Sequence, residues 1–556
     1  MDFGGNFRLG MPFFIPVKDF DDRIQILDNV TWARGNHLMK VGAEYNRTRT
    51  KQTFIGFANG RFIFSSVDGF LNYVSKGNGY VECSNGTSST TGTCPAGSSI
   101  AGPVLLYLQQ AGVGGRSVEE AGTQEIVQHE VAMFAQDSWK VNDQLSLNYG
   151  LRWEMQKQPD PQTPPGSVFF GPFIGKSVTN TKGTFRFPSD GTIQSDYGMF
   201  QPRFGFSYDV SGDATQWVRG SAGLYYARIP GLNLASVRST NGSVGQTIFR
   251  NSALTGILGA PPKYNELLPA PTGTPFGPDV FVMDENFRNP RTMSASLAYE
   301  KHLDRGLSAT VTYNWSKTDF LTRFVNRNDA AFGSPWSTGL AGGNGITTLT
   351  TVEATAKSQF NGVTVGLARV KGERLTFDAN YTLAFDKSDD DNERDPFTFT
   401  YARADRLDRE WGYSNRDQRH RFNLSALTKG PMGTLINGRF SYLSATPVSE
   451  KCGAGNTGSG ERAASPSDRV CANGTILQRN TLRRDNEYAS FDLKLTRLLP
   501  ALAGHRPEAV VEVFNVLGRN NFRDPSTNSL LFNFDGTIRS GLGDPRQVQA
   551  GLRWEF

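Results

Sequence analysis

The sequence predicts an all-β fold, a transmembrane antiparallel β-barrel of about 15–16 strands. Three observations predict it. Long stretches repeat with a period of two, one oily set alternating with one wet set. Short and long links between these stretches alternate along the whole chain. No apolar run reaches the roughly 18 residues that a membrane-crossing helix needs.

The end of the chain shows the first of these most plainly. In "RQVQAGLRWEF", Val548, Ala550, Leu552, Trp554 and Phe556 share one face, and Gln547, Gln549, Gly551, Arg553 and Glu555 share the other. Successive strand side chains point to opposite faces, so such a strand has lipid on one side and water on the other. "LSLNYGLRWE" sets Leu145, Leu147, Tyr149, Leu151 and Trp153 against Ser146, Asn148, Gly150, Arg152 and Glu154. "LSATVTYNWS" (307–316) and "LTFDANYTLAF" (375–385) alternate in the same way. A helix would scatter these residues around its circumference.

The links supply direction. "ARGNH" at 33–37, "KVNDQ" at 140–144, "SGDATQ" at 211–216, "HLDRG" at 302–306, "KGER" at 371–374 and "KGPMG" at 429–433 are short, polar and glycine-bearing, as hairpin turns are. The others, roughly 67–125, 157–199, 229–290, 321–357, 387–417, 446–485 and 516–543, are long and rich in Pro, Gly, Ser and Asn. A bacterial outer-membrane barrel has this asymmetry, with short periplasmic turns and long extracellular loops. Lipid also requires closure, since an open sheet edge leaves backbone groups unpaired. About fifteen long strands are counted, and "GRFIFSS" at 60–66 is either a short further strand or part of the first long loop. Complete bacterial barrels have an even number of strands. The odd count, and an N-terminus without a signal peptide, lead us to expect a partial barrel.

Composition agrees. Mean hydropathy is −0.41, which a barrel with a wet inner face tolerates. The chain has 60 glycines and 12% aromatic residues, suited to tight turns and interfacial girdles. A net charge of +5 over 556 residues, with basic residues dispersed, excludes a nucleic-acid stripe. Cys83 with Cys94, and Cys452 with Cys471, lie in polar loop stretches and are expected as two local disulfides in an oxidising compartment; the alternative is four free thiols. No His or CxxC accompanies either pair, so no metal site is expected there.

Catalytic and cofactor motifs are missing. The five histidines are dispersed, and "GPFIGKS" (171–177) is one residue short of phosphate-loop spacing and opens no helix. No GxSxG elbow occurs, so the chain is expected not to be an enzyme and to need no cofactor. The acidic run at Asp389, Asp390 and Asp391 is read first as a solvated loop and second as a set of extracellular contacts for a cationic ligand. Nearby "RADRLDRE" (403–410) is expected to pair within itself. Arg152, Glu154 and Arg553 fall on the wet face, as channel lining or a salt-bridged wall.

Several longer motifs carry a resemblance. "DNVTWARGNHLMKVGAEYNR" (28–47) and "FAQDSWKVNDQLSLNYGLRWE" (134–154) resemble the hairpin signatures of TonB-dependent outer-membrane receptors, particularly the Oar-like branch. "QPRFGFSYDV" (201–210), "FRNPRTMSASLAYEKHLDRGLSATVTYNWSK" (287–317), "RDQRHRFNLSAL" (416–427) and "EVFNVLGRNNFRDP" (512–525) continue it in that family's order. The resemblance implies a barrel of about 22 strands with a plug inside, and in the Oar-like branch a carboxypeptidase-regulatory-like sandwich before the plug. None of those N-terminal parts is recognisable, so TonB is expected to act only through a missing N-terminal region. Residues 1–23 are expected as an irregular segment of a truncated loop or strand, and 24–556 as a partial receptor-type barrel. Trp554 and Phe556 are the candidate C-terminal assembly signal, with the barrel-assembly machinery and outer-membrane lipid as partners. The implied function is uptake of a scarce nutrient (an oligosaccharide, a peptide or a metal chelate) at the outer membrane of a Gram-negative-type bacterium. The alternative is a passive porin or an adhesive surface barrel.

Overall fold

The computed structural model describes every residue except 4–6, 11–16, 55, 78, 256–258, 269–277, 339–344, 371–373, 392–400, 501–505, 522–544 and 555–556. Fifteen strands form one antiparallel meander. They are β1 (Val17–Arg34), β2 (His37–Phe54), β3 (Thr123–Lys140), β4 (Leu145–Lys157) and β5 (Asp196–Asp209). Next come β6 (Gln216–Tyr226), β7 (Arg291–Leu303), β8 (Leu307–Asn326), β9 (Leu349–Arg369) and β10 (Leu375–Ser388). The last are β11 (His420–Lys429), β12 (Thr434–Leu443), β13 (Tyr488–Leu498), β14 (Glu508–Phe514) and β15 (Gln547–Arg553). Each pairs with the next through an unbroken series of fourteen ladders. Links at one end are short; that between β1 and β2 turns at Gly35, whose φ of +57° suits glycine. Links at the other end are the seven long loops.

The registers carry one apolar face across the meander. Tyr149 pairs with Phe204 and Leu147 with Phe206; further round, Leu297 pairs with Tyr313, Val363 with Tyr313 and Leu383, and Leu495 with Val511. These side chains are not a covered core: Leu297 is 52% exposed, Val365 48% and Val311 47%. A continuous exposed band of Leu, Val, Phe and Tyr is stable only against hydrocarbon. Close packing within the band needs one glycine in particular, because a Cβ at Gly220 would stand 2.3 Å from the Phe206 ring. Among the described residues no helix is long and apolar enough to cross a membrane, which says nothing against crossing by strands.

Among the described residues, no ladder joins β1 to β15. Both are exposed on both faces along almost their whole length. Trp554 follows β15 directly, and Phe556 lies outside the described residues.

Two boundaries differ from expectation, and one open reading is resolved. Within the segment expected as irregular, the described residues include the short strands Asp2–Phe3 and Phe7–Arg8, and β1 begins at Val17. Here the ladder runs on beyond hydrocarbon, with charged side chains such as Asp22, Arg49 and Glu125 paired across strands, so no apolar alternation marks it. Likewise β8 and β9 continue well into the segment expected as the loop 321–357. Their tips, Thr322–Val325 and Leu349–Glu353, are buried on both faces by loops, and alternation disappears where both faces are covered. "GRFIFSS" resolves in favour of the loop: Arg61–Phe64 belongs to a five-stranded sheet above the barrel, beside Val104–Gly112.

The long loops form a packed layer with its own cores. One gathers Val168, Phe173, Phe187, Val280, Trp336 and Ile346. A second joins Ile126 and Phe324 of the strands to Ile229, Leu234 and Met283 of the third loop. A third stacks Phe3, Phe62, Phe64, Tyr73 and Tyr107. Both expected disulfides are formed, Cys83–Cys94 and Cys452–Cys471.

Candidate functional site: the inner wall and the mouth

Even-numbered residues of β2 to β4 face away from the apolar band and carry the polar wall. Arg152 lies 2.6 Å from Glu154 and 3.0 Å from Glu44. Arg228 lies 2.7 Å from Glu130, whose carboxylate also accepts from Asn46 at 2.6 Å. Gln25 donates to Glu44 at 2.8 Å. Of the wet-face residues expected to line a channel, Arg152 and Glu154 thus form a salt-bridged wall, while Arg553 stands 3.9 Å from Glu508. The wall offers hydrogen-bonding groups along its length.

The third long loop turns in across the top of this wall. Gln128 and Gln156 donate to the Ile229 carbonyl at 2.9 and 3.0 Å, and Gln124 to that of Ala235 at 3.1 Å. Arg238 reaches the Glu125 carbonyl at 3.0 Å, and burial lowers its pKa. The glutamines share parity with the polar wall, so the helix Leu232–Ser239 caps the inner side of the meander. Beside it a cavity of about 330 Å³ opens among Phe185, Phe187, Asp284, Glu285, Arg327 and Glu353. Arg327 holds Glu353 through a two-pronged contact, its second nitrogen at 2.7 Å. Burial raises the Asp284 carboxyl above its ordinary pKa.

The acidic run corrects the expectation of a solvated loop. Asp389 and Asp390 are buried. Asp389 pairs with the buried Arg323 at 2.7 Å and accepts from the Lys357 amide at 2.7 Å. Asp390 accepts from the Tyr401 hydroxyl, and Asp391 pairs with Arg479 and accepts from the Asn415 amide. The physical reason is charge: three carboxylates at the end of β10 meet arginines from distant segments, which sequence proximity does not show. In "RADRLDRE", Arg403 pairs with Asp405 and Arg406 with Asp408 as expected. Its last residue, Glu410, instead makes a buried pair with Arg469, which locks the loop 389–419 to the loop that carries the second disulfide. Arg323, Arg469 and Arg479 were missed: Arg323 sits in the covered tip of β8, where alternation is lost, and isolated arginines in polar loops give no periodic signal. Among the described residues no cluster of three or more metal-binding side chains occurs.

An antiparallel meander with an exposed apolar band, a polar inner wall and all long loops at one end defines an outer-membrane β-barrel. A family model for the outer membrane beta barrel domain matches residues 1–444, and the chain belongs to that family. Its place is the outer membrane. Among solved structures, the outer membrane transporter YddB from Escherichia coli superposes with a TM-score of 0.52 at 11% identity, over 96% of this chain and 54% of that one. The ferripyoverdine receptor of Pseudomonas aeruginosa gives 0.46 at 13% identity, over 97% and 49%. The FrpB iron transporter from Neisseria meningitidis gives 0.45 at 12%, over 94% and 53%. At 11% identity the YddB superposition establishes the fold alone, and the chain spans about half the length of these three proteins. No curated protein matches the sequence.

Proposed function

We propose that this chain is the barrel portion of a TonB-dependent, Oar-like transporter that takes up a scarce nutrient through the outer membrane. The observation that carries this reading is the inner wall under a loop-built mouth. Polar and charged side chains line one face of every strand from β2 to β4, and the third loop folds onto that face. The YddB-like fold and the ordered receptor motifs support it. Oligosaccharides, peptides and metal chelates remain the substrate classes that the resemblance implies. A plug and TonB would act through sequence outside this chain, and the barrel-assembly machinery would read the Trp554 and Phe556 end.

The test is energy dependence. Cells expressing the full gene product should accumulate the substrate, and a protonophore should stop accumulation. Uptake that continues with the membrane de-energised, together with steady conductance in planar bilayers, would favour the passive porin instead.

A further inference from the structure

A carboxylate stands on the apolar side of the meander. Asp137 of β3 pairs in register with Tyr149 of β4, so it shares the outward face with Tyr149 and Met133. Its Oδ2 accepts from the Tyr149 hydroxyl at 2.8 Å and lies 2.6 Å from His37 Nδ1. Trp139, on the same face, stacks on the His37 ring with centroids 5.3 Å apart. His37 opens β2 just after the turn at Gly35, and β3 ends at Lys140. The network therefore sits at the short-turn, periplasmic rim of the lipid band, the depth at which aromatic rings meet headgroups.

The protein pairs one oxygen of this carboxylate and leaves the other. Oδ1 of Asp137 is shielded from water and has no hydrogen-bond partner. A carboxylate on the hydrocarbon side is costly unless its oxygens are paired. Its neighbours His37 and Tyr149 are 38% and 42% exposed, so the oxygen lies just below the surface, and a side-chain movement brings a headgroup to it. Arg34 ends β1 directly across from His37, on the same outward side as Trp32. It is exposed and makes no ion pair among the described residues. A half-paired carboxylate and an unpaired cation thus flank His37 on the outer face.

We propose that this rim site holds the headgroup of a phospholipid with a primary ammonium, the ethanolamine type, in the periplasmic leaflet. The ammonium brings positive charge and three N–H donors to Asp137 Oδ1, and the phosphate meets the Arg34 guanidinium. A choline headgroup has no N–H to donate. A glycerol headgroup offers hydroxyls but no positive charge. Neither satisfies both ends of the site. The proposal is independent of what the barrel transports.

The test is native mass spectrometry of the full chain released from nanodiscs of equal parts phosphatidylethanolamine, phosphatidylcholine and phosphatidylglycerol. The ethanolamine lipid should be retained about fivefold or more over the choline lipid. Along the N-methylated series between them, retention should fall with each donor lost. Asp137→Asn should abolish the preference and Arg34→Gln should weaken retention of the ethanolamine lipid, whereas Ser138→Ala on the inner face should change neither. Should Asp137→Asn fail to assemble, the methylation series on the native chain and Arg34→Gln carry the same reading. Equal retention of ethanolamine and choline lipids, a preference for the glycerol lipid, or a preference that survives Asp137→Asn overturns the proposal.

Discussion

The strands and the loops of this protein obey different physics. In the membrane-spanning part of the meander the environment on each side decides the residue, because odd and even positions meet hydrocarbon or water in turn, as Leu297 and Ser296 do. In the loop layer, stability comes from contacts between segments far apart in sequence. Glu410 meets Arg469, Arg323 meets Asp389, and Phe173 packs on Trp336. The first region is written locally and is redundant; the second is written non-locally and depends on single partners.

That contrast can be broken, beginning with the loops. Arg469→Ala would leave the carboxylate of Glu410 buried with the Ala402 amide but without its cationic partner, at about 3–5 kcal/mol. Limited proteolysis should then cut the loop 389–419 while the meander stays assembled. In the strands, Leu297→Arg should destabilise the assembled barrel by about 2–4 kcal/mol, whereas Ser296→Arg, facing the other way, should change it by less than about 1 kcal/mol, as measured by denaturant unfolding in lipid vesicles. Equal effects at the two positions would erase the distinction between faces. Replacing Cys452 and Cys471 by serine should weaken the partner loop 444–487 by about 2–4 kcal/mol, read from hydrogen exchange confined to those residues.

The smallest expected effect is a pH dependence. Burial raises the Asp279 carboxyl to a pKa of about 6, and its Oδ1 has no hydrogen-bond partner. The folded state therefore holds this proton more tightly than the unfolded chain does. Its contribution is complete below about pH 4 and is lost as pH rises through about 6, up to about 3 kcal/mol. Loop-layer stability should fall across that window, and Asp279→Asn should flatten the fall.

How much was legible follows from the same contrast. The strand order, the face of each side chain and both disulfides could be read, since period-two alternation and paired cysteines in one loop are local signals. Alternation failed at residues 17–23, where the ladder is wet on both faces, and at Thr322–Val325, where it is covered on both. The candidate site was half legible. Arg152 and Glu154 stood on the expected face, but Asp389, Asp390 and Asp391 looked solvated because their arginine partners lie in other segments. The rim cavity of about 640 Å³ gathers Arg419, Arg483, Arg484 and Arg519 from three loops and carried no motif at all.

The face assignment itself is best tested with nitroxide labels placed one at a time at residues 293 to 298 of β7, through cysteine substitutions in a chain whose native cysteines are all bridged. In lipid vesicles, collision with oxygen should peak at positions 293, 295 and 297, and collision with a water-soluble nickel chelate at 294, 296 and 298. Equal access to both quenchers along the strand, or oxygen preference at the even positions, would contradict a lipid-facing band.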